Sequence, residues 1–501
     1  MKKKLLLNTI SSIFFQITTL ICGFILPRLI LGQYGSNVNG LVSSITQFLN
    51  LIALLELGVG AVIQSSLYKP LAEKDYSKAS EILVSGDRFF KKVALILVCY
   101  VVILTVGYPF FAKGDFDWLF TSLLILAMSI SSFAQYYFGV VDRLLLSADQ
   151  RGYIQYTAQI ITLILNTIAC AVLIKLGASI QIVKLTTSIL FLARPIALRI
   201  YVNRHYPINR HIKFEKEPIQ QKWNGIAQHF AAVVLNDTDT VVLTALSTFA
   251  NVSIYSVYSM VALGVKNLIL SLTHGVQAAM GELIAKQDKK RLLDFFGKTE
   301  FILHTITIYV FSCAAILIVP FVRVYTKGIT DVDYIQPLFA VLLTAAHAGH
   351  CLRLPYNIVI LAGEHYKQTQ SNYIIAAILN IVISVVTVYF FGLVGVAIGT
   401  LVAMVYQTVW MAIYDSKNII NWPIKNFIKQ CVIDLLVVGG IVGSTFWIKL
   451  QEVSYVSWIV MACEVAGIAL VVTVAINFLF CKRQMLDLIK GMFGKLHRQK
   501  G

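Results

Sequence analysis

Apolar residues form long runs that recur from one end of the chain to the other, separated by short polar turns. An α-helix needs about 20 predominantly apolar residues to cross a bilayer, and these runs have that length. The pattern predicts fourteen spans, at approximately 9–31, 40–66, 92–112, 118–146, 153–175, 178–202, 224–247, 252–284, 300–325, 334–361, 367–391, 393–414, 428–449 and 454–480. The predicted fold class is therefore an all-α polytopic membrane protein.

Composition supports this class. Of the 501 residues, 57% are hydrophobic and only 13% are charged, an imbalance that ordinary soluble domains of this length cannot bury. The basic start, Met1 to Lys4, precedes an apolar run that is too long for a secretory signal, so we expect a retained first helix. The eight cysteines lie in or beside the spans without a CxxC pair, which gives no support to a disulfide framework or a zinc site.

Basic residues alternate between the two sides of the predicted topology. With the N-terminus in the cytoplasm, 32 of the 42 Lys and Arg residues fall in cytoplasmic loops and tails. The outer loops hold four: Lys113, Lys175, Lys327 and Lys449. Positive charge concentrates on the cytoplasmic side of membrane proteins, so both termini are predicted to be cytoplasmic. The same distribution explains the formal net charge of +17 without nucleic acid.

The loops are short, and the longest runs from about 203 to 223. They leave no room for a soluble catalytic domain, and no Walker motif is present to bind ATP. We therefore expect a protein that is not an enzyme and that has no cofactor and no resident metal. The tail over 482–500 alternates apolar and basic residues, which predicts an amphipathic helix on anionic membrane lipids.

Two pairs of motifs recur at one spacing of 213 to 214 residues. Tyr153-x-Gln155 with Leu165-Asn166 returns as Tyr366-x-Gln368 with Leu379-Asn380, and Ser36-Asn37-Val38-Asn39 returns as Ala250-Asn251-Val252-Ser253. A spacing of six helices gives both repeats the same orientation in the membrane, and transporters place substrate between such repeats. The predicted division is an N-terminal lobe over 1–206, a C-terminal lobe over 207–416, and an added helix pair with the tail over 417–501.

Eight charged residues are predicted at membrane depth, where a charge is costly and indicates a pathway or a binding site. Five of them fall in the first hairpin of each repeat. Glu464 lies outside the repeat, and its role is left open. The full set is Arg28, Glu56, Arg194, Asp237, Asp239, Lys266, Arg353 and Glu464.

The sequence leaves two interpretations open for these charges. Asp237 and Lys266 both fall near mid-depth and either form a structural ion pair or face a cavity. Two acids two residues apart on a helix point about 200° apart, so one cation cannot pair with both Asp237 and Asp239. Arg28 either reaches the membrane surface or faces a water-filled cleft, where its guanidinium could hold a phosphate through two hydrogen bonds. Glu56 either makes a helix contact or takes up a proton.

Two other spans carry basic residues in suggestive positions. His347, His350 and Arg353 recur at three-residue steps along one side of a helix, which indicates either a polar cavity wall or ordinary packing. This spacing is a poor metal signal, since no carboxylate or cysteine accompanies it at ligand distance. Arg194 precedes Pro195, which predicts a kink whose arginine reaches a cavity or the cytoplasmic surface.

The segment 24–75 resembles the N-terminal hairpin of bacterial Wzx-type polysaccharide flippases. That family belongs to the MOP superfamily, together with the MATE exporters and the lipid II flippases. The matching features are Pro27-Arg28 before Leu31-Gly32, Tyr34-Gly35, Leu55-Glu56-Leu57-Gly58, Leu67-Tyr68-x-x-Leu71-Ala72 and, further along, Asn236-Asp237-x-Asp239. The fourteen spans, the repeat of six plus six helices and the added pair extend the resemblance over the whole chain.

The resemblance implies two pseudo-symmetric six-helix lobes around a cationic cavity. The substrate would be an oligosaccharide on undecaprenyl pyrophosphate, flipped across the bacterial cytoplasmic membrane by alternating access and driven by protons or sodium. Glycosyltransferases and a polymerase of a capsule or surface polysaccharide pathway would be its partners. The implied substrate-binding residues are Arg28, Lys266, Arg353 and Arg194, and the implied ion-coupling residues are Glu56, Asp237 and Asp239.

Three other functions remain open at this point. A MATE-like exporter of small cations would favour an acid-rich cavity with few arginines, whereas here the bases match the acids. A lipid II flippase would be expected to carry more cavity arginines than this chain. A membrane enzyme, such as a polysaccharide polymerase, would need a sizeable outer loop.

Overall fold

The computed structural model describes residues 2–111, 116–212, 226–273 and 276–486, and within these ranges the chain is helical without β-strands. The predicted amphipathic tail lies almost wholly outside the described residues. The helices are α1 Lys2–Asn50, α2 Leu54–Glu73, α3 Tyr76–Phe111, α4 Trp118–Ala134, α5 Val140–Ala148, α6 Gly152–Lys175, α7 Ile180–His205, α8 Ile226–Leu246, α9 Phe249–Leu272, α10 Val276–Ala285, α11 Lys289–Tyr325, α12 Pro337–Leu352, α13 Leu354–Ala362, α14 Tyr366–Phe391, α15 Leu393–Asn418, α16 Ile424–Thr445 and α17 Tyr455–Phe480.

Twelve helical segments of the described chain are long and apolar enough to cross a membrane. Helix α8 occupies the position of the predicted seventh span, whereas α2 overlaps only the second half of the predicted second span, whose first half belongs to α1. Many large apolar side chains are exposed on the membrane-spanning helices, including Leu435 on α16 and Val456 on α17, each more than 70% exposed. Such surfaces are stable against lipid and unfavourable in water. The predicted class, an all-α multi-pass membrane protein, is confirmed.

The first predicted turn is much shorter than the sequence indicates. The sequence predicts a turn over 32–40, but helical backbone continues through this stretch except at Gly35, where φ is 81° and ψ is 177°. A positive φ is accessible to glycine because it has no Cβ. A single residue therefore joins the two helical parts of α1.

Several helices of the two predicted repeats begin at equivalent positions. Helix α3 begins at Tyr76 and α11 at Lys289, 213 residues later, and both are unusually long. Helix α6 begins at Gly152 and α14 at Tyr366, 214 residues later. Corresponding helices thus begin at the spacing that the motif pairs predict.

The helices divide into two compact units, Met1–Ser253 and Ile254–Gly501. In the first unit, one apolar core joins the helices through residues such as Leu41, Phe90 and Leu145. In the second unit, α16 and α17 pack on α11 through a smaller cluster that includes Ile433 and Ala469. The three-part division at 206 and 416 stays a prediction.

The fourth predicted span of each repeat is interrupted at the same place. Between α4 and α5 lies a π-helical segment, Gln135–Gly139, and between α12 and α13 lies Arg353. Pro355 has no N–H, so it cannot bond to the carbonyl of Cys351, and the helix changes course there. π-helical segments are rare and frequently occur at functional sites. Both interruptions adjoin the polar groups described next.

Candidate functional site

Two predicted substrate-binding cations lie in one buried neighbourhood of the second unit. Lys266 on α9 is 8% exposed, and Arg353 between α12 and α13 is 5% exposed. Arg353 Nη2 lies 3.3 Å from His350 Nδ1, while its Nε and Nη1 have no hydrogen-bond partner within the described chain. Lys266 acts electrostatically on both His347 and His350. The histidine and arginine side of α12 therefore forms a basic polar cluster, and the cavity-wall interpretation stays a prediction.

Neighbouring helices fix the position of Arg353. Thr408 on α15 donates to the carbonyl of Gly349, one turn before Arg353, at 3.2 Å. One turn after it, Asn357 accepts a hydrogen bond from Tyr373 on α14. Arg353 is thus held at the interruption by contacts on both sides, while two of its guanidinium nitrogens stay without a partner in the described chain.

Two buried amide side chains lie on the neighbouring helices α14 and α15. Asn380 on α14 donates to Thr400 on the antiparallel α15 at 2.9 Å. In this register Asn372, about two turns before Asn380, lies at the same level as Gln407, about two turns after Thr400. Both are fully buried, and all four of their amide oxygen and nitrogen atoms lack a partner among the described residues. An unpaired buried polar group costs about 1–3 kcal/mol, so water or a polar ligand is expected there. Sequence reasoning missed these residues because neutral amides do not stand out in an apolar run.

Arg28 lies in the first unit, half-buried in α1 directly after Pro27. Its guanidinium extends over Gly32, one turn later, where a Cβ would lie 3.4 Å from Arg28 Nη1. Tyr34 donates to the carbonyl of Ala178 at 2.5 Å and so ties α1 to the loop before α7. The small residue at position 32 therefore leaves room for the arginine at the end of the first predicted span.

Among the predicted ion-coupling residues, Asp239 is described fully. It lies on α8 and is 3% exposed. Glu56 lies on α2 and Asp237 on α8, and their side chains lie outside the described part of the structure. Helix α8 packs on the first hairpin, where Thr244 and Ser44 are hydrogen-bonded at 2.6 Å. Asp239 is thus a buried acid in a helix held by polar contacts.

Arg194 lines a separate cavity inside the first unit, between α4, α6 and α7. The cavity volume is about 100 Å³. None of the other predicted site residues is among the described residues that line it. The structure therefore brings Lys266 and Arg353 into one neighbourhood and places Arg194 in another, at the π-helical segment.

A second buried polar cluster was not predicted. His304 on α11 and Asp434 on α16 are in contact at 2.6 Å through Nδ1 and Oδ2, and Gln430 donates to the same carboxylate at 3.0 Å. One turn before His304, Glu300 accepts a hydrogen bond from Tyr356 at 2.6 Å. The i, i+4 spacing of Glu300 and His304 was the one signal of this cluster in the sequence. Both residues fall at the end of a predicted span, so they were not among the predicted site residues. These contacts join α16 to the rest of the second unit. Glu464, in contrast, is exposed on α17.

Comparison with solved structures identifies the fold. The structure of the lipid II flippase MurJ in an inward closed conformation aligns with a TM-score of 0.67 at 16% identity, covering 97% of this chain and 100% of that chain. An inward-facing multidrug resistance MATE family transporter of the MOP superfamily aligns at 0.60 and 15% identity, covering 80% and 94%. A point mutant of the Vibrio cholerae MATE transporter VcmN aligns at 0.58 and 12% identity, covering 84% and 98%.

No protein-family model matches the chain, and no curated protein matches its sequence. At identities of 12 to 16%, the structural likeness shows the fold alone. That fold is the one seen in these structures of a lipid II flippase and of MATE transporters. These structural neighbours are transporters and flippases rather than enzymes.

Proposed function

We propose that this protein flips an oligosaccharide linked to undecaprenyl pyrophosphate across the bacterial cytoplasmic membrane, for export of a capsule or surface polysaccharide. The MurJ alignment supports a flippase, since it extends over 97% of this chain whereas the two MATE alignments cover 80% and 84%. The resemblance of segment 24–75 to polysaccharide flippases supports the oligosaccharide. In this proposal glycosyltransferases supply the substrate and a polymerase consumes it.

The buried cations of the second unit carry the proposal. Arg353 lies within a membrane-spanning helix, where an uncompensated charge is costly, and Lys266 lies in the same buried neighbourhood. A pyrophosphate would offset that cost, because guanidinium and ammonium groups form short, charge-assisted hydrogen bonds with phosphate oxygens. The two nitrogens of Arg353 that lack a partner in the described chain are suitable donors. Arg28 on α1 is a further proposed substrate-binding residue.

Transport would proceed by alternating access, driven by protons or sodium. Asp239, with Glu56 and Asp237, supplies the acids that would bind the coupling ion. The buried contacts between Asn39 and Ser253 and between Ser44 and Thr244 would break and re-form during the cycle. We infer that ion binding by the acids of α8 changes the stability of these contacts.

Ligand binding to the purified protein tests the proposal. We expect undecaprenyl pyrophosphate to bind, and Arg353→Gln and Arg28→Ala to weaken binding by about tenfold or more, since a hydrogen bond to a charged group contributes about 1.5–3 kcal/mol. Arg323→Gln, which removes an exposed arginine at the end of α11, is the matched control and should bind normally. Equal affinity of all four proteins for the lipid would contradict the assignment.

A small-molecule exporter is the second candidate, and the buried Asp239 within a fold shared with MATE transporters favours it. A competition experiment between the lipid and other ligands distinguishes the candidate functions. Displacement of the lipid by an organic cation, with no effect of Arg353→Gln, would favour export of small molecules. Preference for lipid II over a lipid-linked oligosaccharide without peptide would favour a lipid II flippase.

A further inference from the structure

The cavity at the π-helical segment lies within the first unit and is lined partly by polar side chains. It lies where α4 passes through Gln135–Gly139 into α5, and it borders α6 and α7. Its volume of about 100 Å³ holds several water molecules or one tetrahedral oxyanion with its hydration. The lining residues are Ser131, Ser132, Gln135, Gly139, Arg143, Gln155, Ala158, Gln159, Phe191, Arg194, Pro195 and Leu198.

The local backbone explains why a cavity forms here. Gly139 packs directly on Pro195, where an added Cβ would lie 2.7 Å from the proline Cβ. Pro195 lies inside α7 and cannot donate to the carbonyl of Phe191, so that carbonyl loses its helical partner. The π-helical segment widens the facing helix at the same level. The two helices are therefore in contact at one point and leave polar backbone and space beside it.

Two arginines give the cavity a positive charge. Arg194 Nε donates to Thr162 at 2.6 Å, and its guanidinium carbon lies 3.6 Å from the centre of the Phe191 ring. These contacts fix the guanidinium plane at the cavity wall. Arg143 joins it from α5, and no Asp or Glu is among the described lining residues. The neighbouring Asp142 is fully buried and accepts a hydrogen bond from Arg210 at 2.6 Å.

Of the ten other lining residues, five carry neutral hydrogen-bonding side chains and five are apolar or glycine. Two serines and three glutamines supply hydroxyl and amide donors around the arginines. The buried Oε1 of Gln159 has no partner within the described chain, which indicates that water or a ligand completes the site. Arginine forks surrounded by hydroxyl and amide donors match the oxygens of a phosphate group.

We propose that this cavity binds a phosphate group, carried by an anionic lipid headgroup or supplied as free phosphate. Apolar side chains close in sequence to the lining residues favour a lipid: Phe138, Ile161 and Ile196 are 43%, 52% and 50% exposed and are available to its acyl chains. The predicted topology puts α5 and the adjoining parts of α6 and α7 in the cytoplasmic half of the membrane, where anionic lipids are enriched. The inference does not rest on the proposed transported substrate.

Native mass spectrometry and lipid-induced thermal stabilisation test the site in the full-length protein. The probes are phosphatidylglycerol, phosphatidylcholine and inorganic phosphate. We expect phosphatidylglycerol to bind and stabilise, and the double variant R143Q/R194Q to bind it about tenfold more weakly. The matched control is Arg204→Gln, which removes an exposed arginine near the end of α7 and should keep wild-type binding.

A second variant keeps both arginines. Gln159→Glu places a carboxylate in the cavity, where it would pair with the arginines and exclude an external anion, with a similar loss of binding expected. Competition by inorganic phosphate would identify free phosphate as the ligand, and binding of phosphatidylglycerol without such competition would identify the lipid headgroup. Either result supports a phosphate site. Unchanged binding of both anionic probes in R143Q/R194Q and in Gln159→Glu would overturn it.

Discussion

Asn39 Nδ2 donates a hydrogen bond to Ser253 Oγ at 2.8 Å, and these two residues occupy equivalent positions of the sequence repeat, 214 residues apart. Both are buried, at 3% and 0% exposure. Next to them, Gly40 approaches the carbonyl of Phe249 so closely that a Cβ would lie 1.9 Å from its oxygen. The second part of α1 and the start of α9 are therefore in direct contact within the first unit.

Covalent closure of this contact should stop transport. In a protein whose native cysteines are replaced, Asn39→Cys with Ser253→Cys should form a disulfide on oxidation, because the two side chains are already in contact. We expect transport to be lost on oxidation and restored by reductant, since the proposed cycle requires this contact to break and re-form. Each single cysteine variant is the control. Full transport by the cross-linked protein would show that this contact does not break during the cycle.

A side chain at position 40 should destabilise the protein, because Gly40 lies so close to the carbonyl of Phe249. Gly40→Ala should lower the free energy of unfolding by about 1–3 kcal/mol, because the added methyl collides with backbone that cannot rotate away. Gly23→Ala is the matched control, since no atom lies within 4 Å of its Cβ position. Thermal unfolding in detergent measures both variants. A melting temperature of Gly40→Ala equal to that of Gly23→Ala would contradict this close packing.

The large-scale organisation was predictable from the sequence because apolar length and repeated motifs act over many residues. The start of α11 at Lys289 and of α14 at Tyr366 follows the predicted spacing from α3 and α6. The turn at Gly35 was not predictable in detail, because Gly32 and Gly40 are equally capable of ending a helix. Positive φ at Gly35 depends on how the two helical parts pack.

The candidate site was predictable only where its members are charged. Arg353 and Lys266 stand out in apolar spans, and the structure places both in one buried neighbourhood. Arg194 also stands out, but Arg143 and Gln159, which line the same cavity, come from other helices, and only the fold brings the three together. Asn372 and Gln407 carry no charge, so their burial and the lack of partners in the described chain become evident only from the antiparallel register of α14 and α15.

Replacement of Asp239 tests ion coupling. Asp239→Asn keeps the side-chain size but cannot bind a proton or neutralise sodium at neutral pH. We expect substrate binding to persist and the gradient-driven part of transport to be lost. Glu464→Gln, an exposed acid on another helix, is the control and should leave coupling intact. A variant that fails to accumulate in the membrane, or one that couples normally, would favour a structural role for Asp239.

A polar cluster at Asp149 should stabilise the first unit. Asp149 accepts hydrogen bonds from Lys4 at 3.1 Å and Tyr206 at 2.5 Å and forms an ion pair with Arg151 at 2.8 Å, and it joins the start of α1 to the end of α7. Burial and the hydrogen bond to Asp149 raise the pKa of the Tyr206 phenol, so Tyr206 remains a donor at neutral pH.

Asp149→Asn should therefore lower the free energy of unfolding by about 1–2 kcal/mol, a value discounted for partial solvent exposure. The difference from wild type should shrink in about 1 M salt, where ion pairs are screened. Glu73→Gln is the control, because its ion pair with Lys69 is exposed and 3.9 Å long. Thermal unfolding at low and high salt measures the effect. An effect no larger than that of Glu73→Gln would contradict the stabilising role.

Translocation by the reconstituted protein tests the central claim most directly. Proteoliposomes would carry an undecaprenyl-pyrophosphate oligosaccharide with a fluorescent sugar, and a membrane-impermeant quencher would report the leaflet that holds it. We predict translocation driven by a proton or sodium gradient. The translocation rate of Arg353→Gln should be close to that of empty liposomes, and the rate of Arg323→Gln close to that of wild type. Absence of lipid translocation under either gradient, in vesicles that accumulate an organic cation, would contradict the claim.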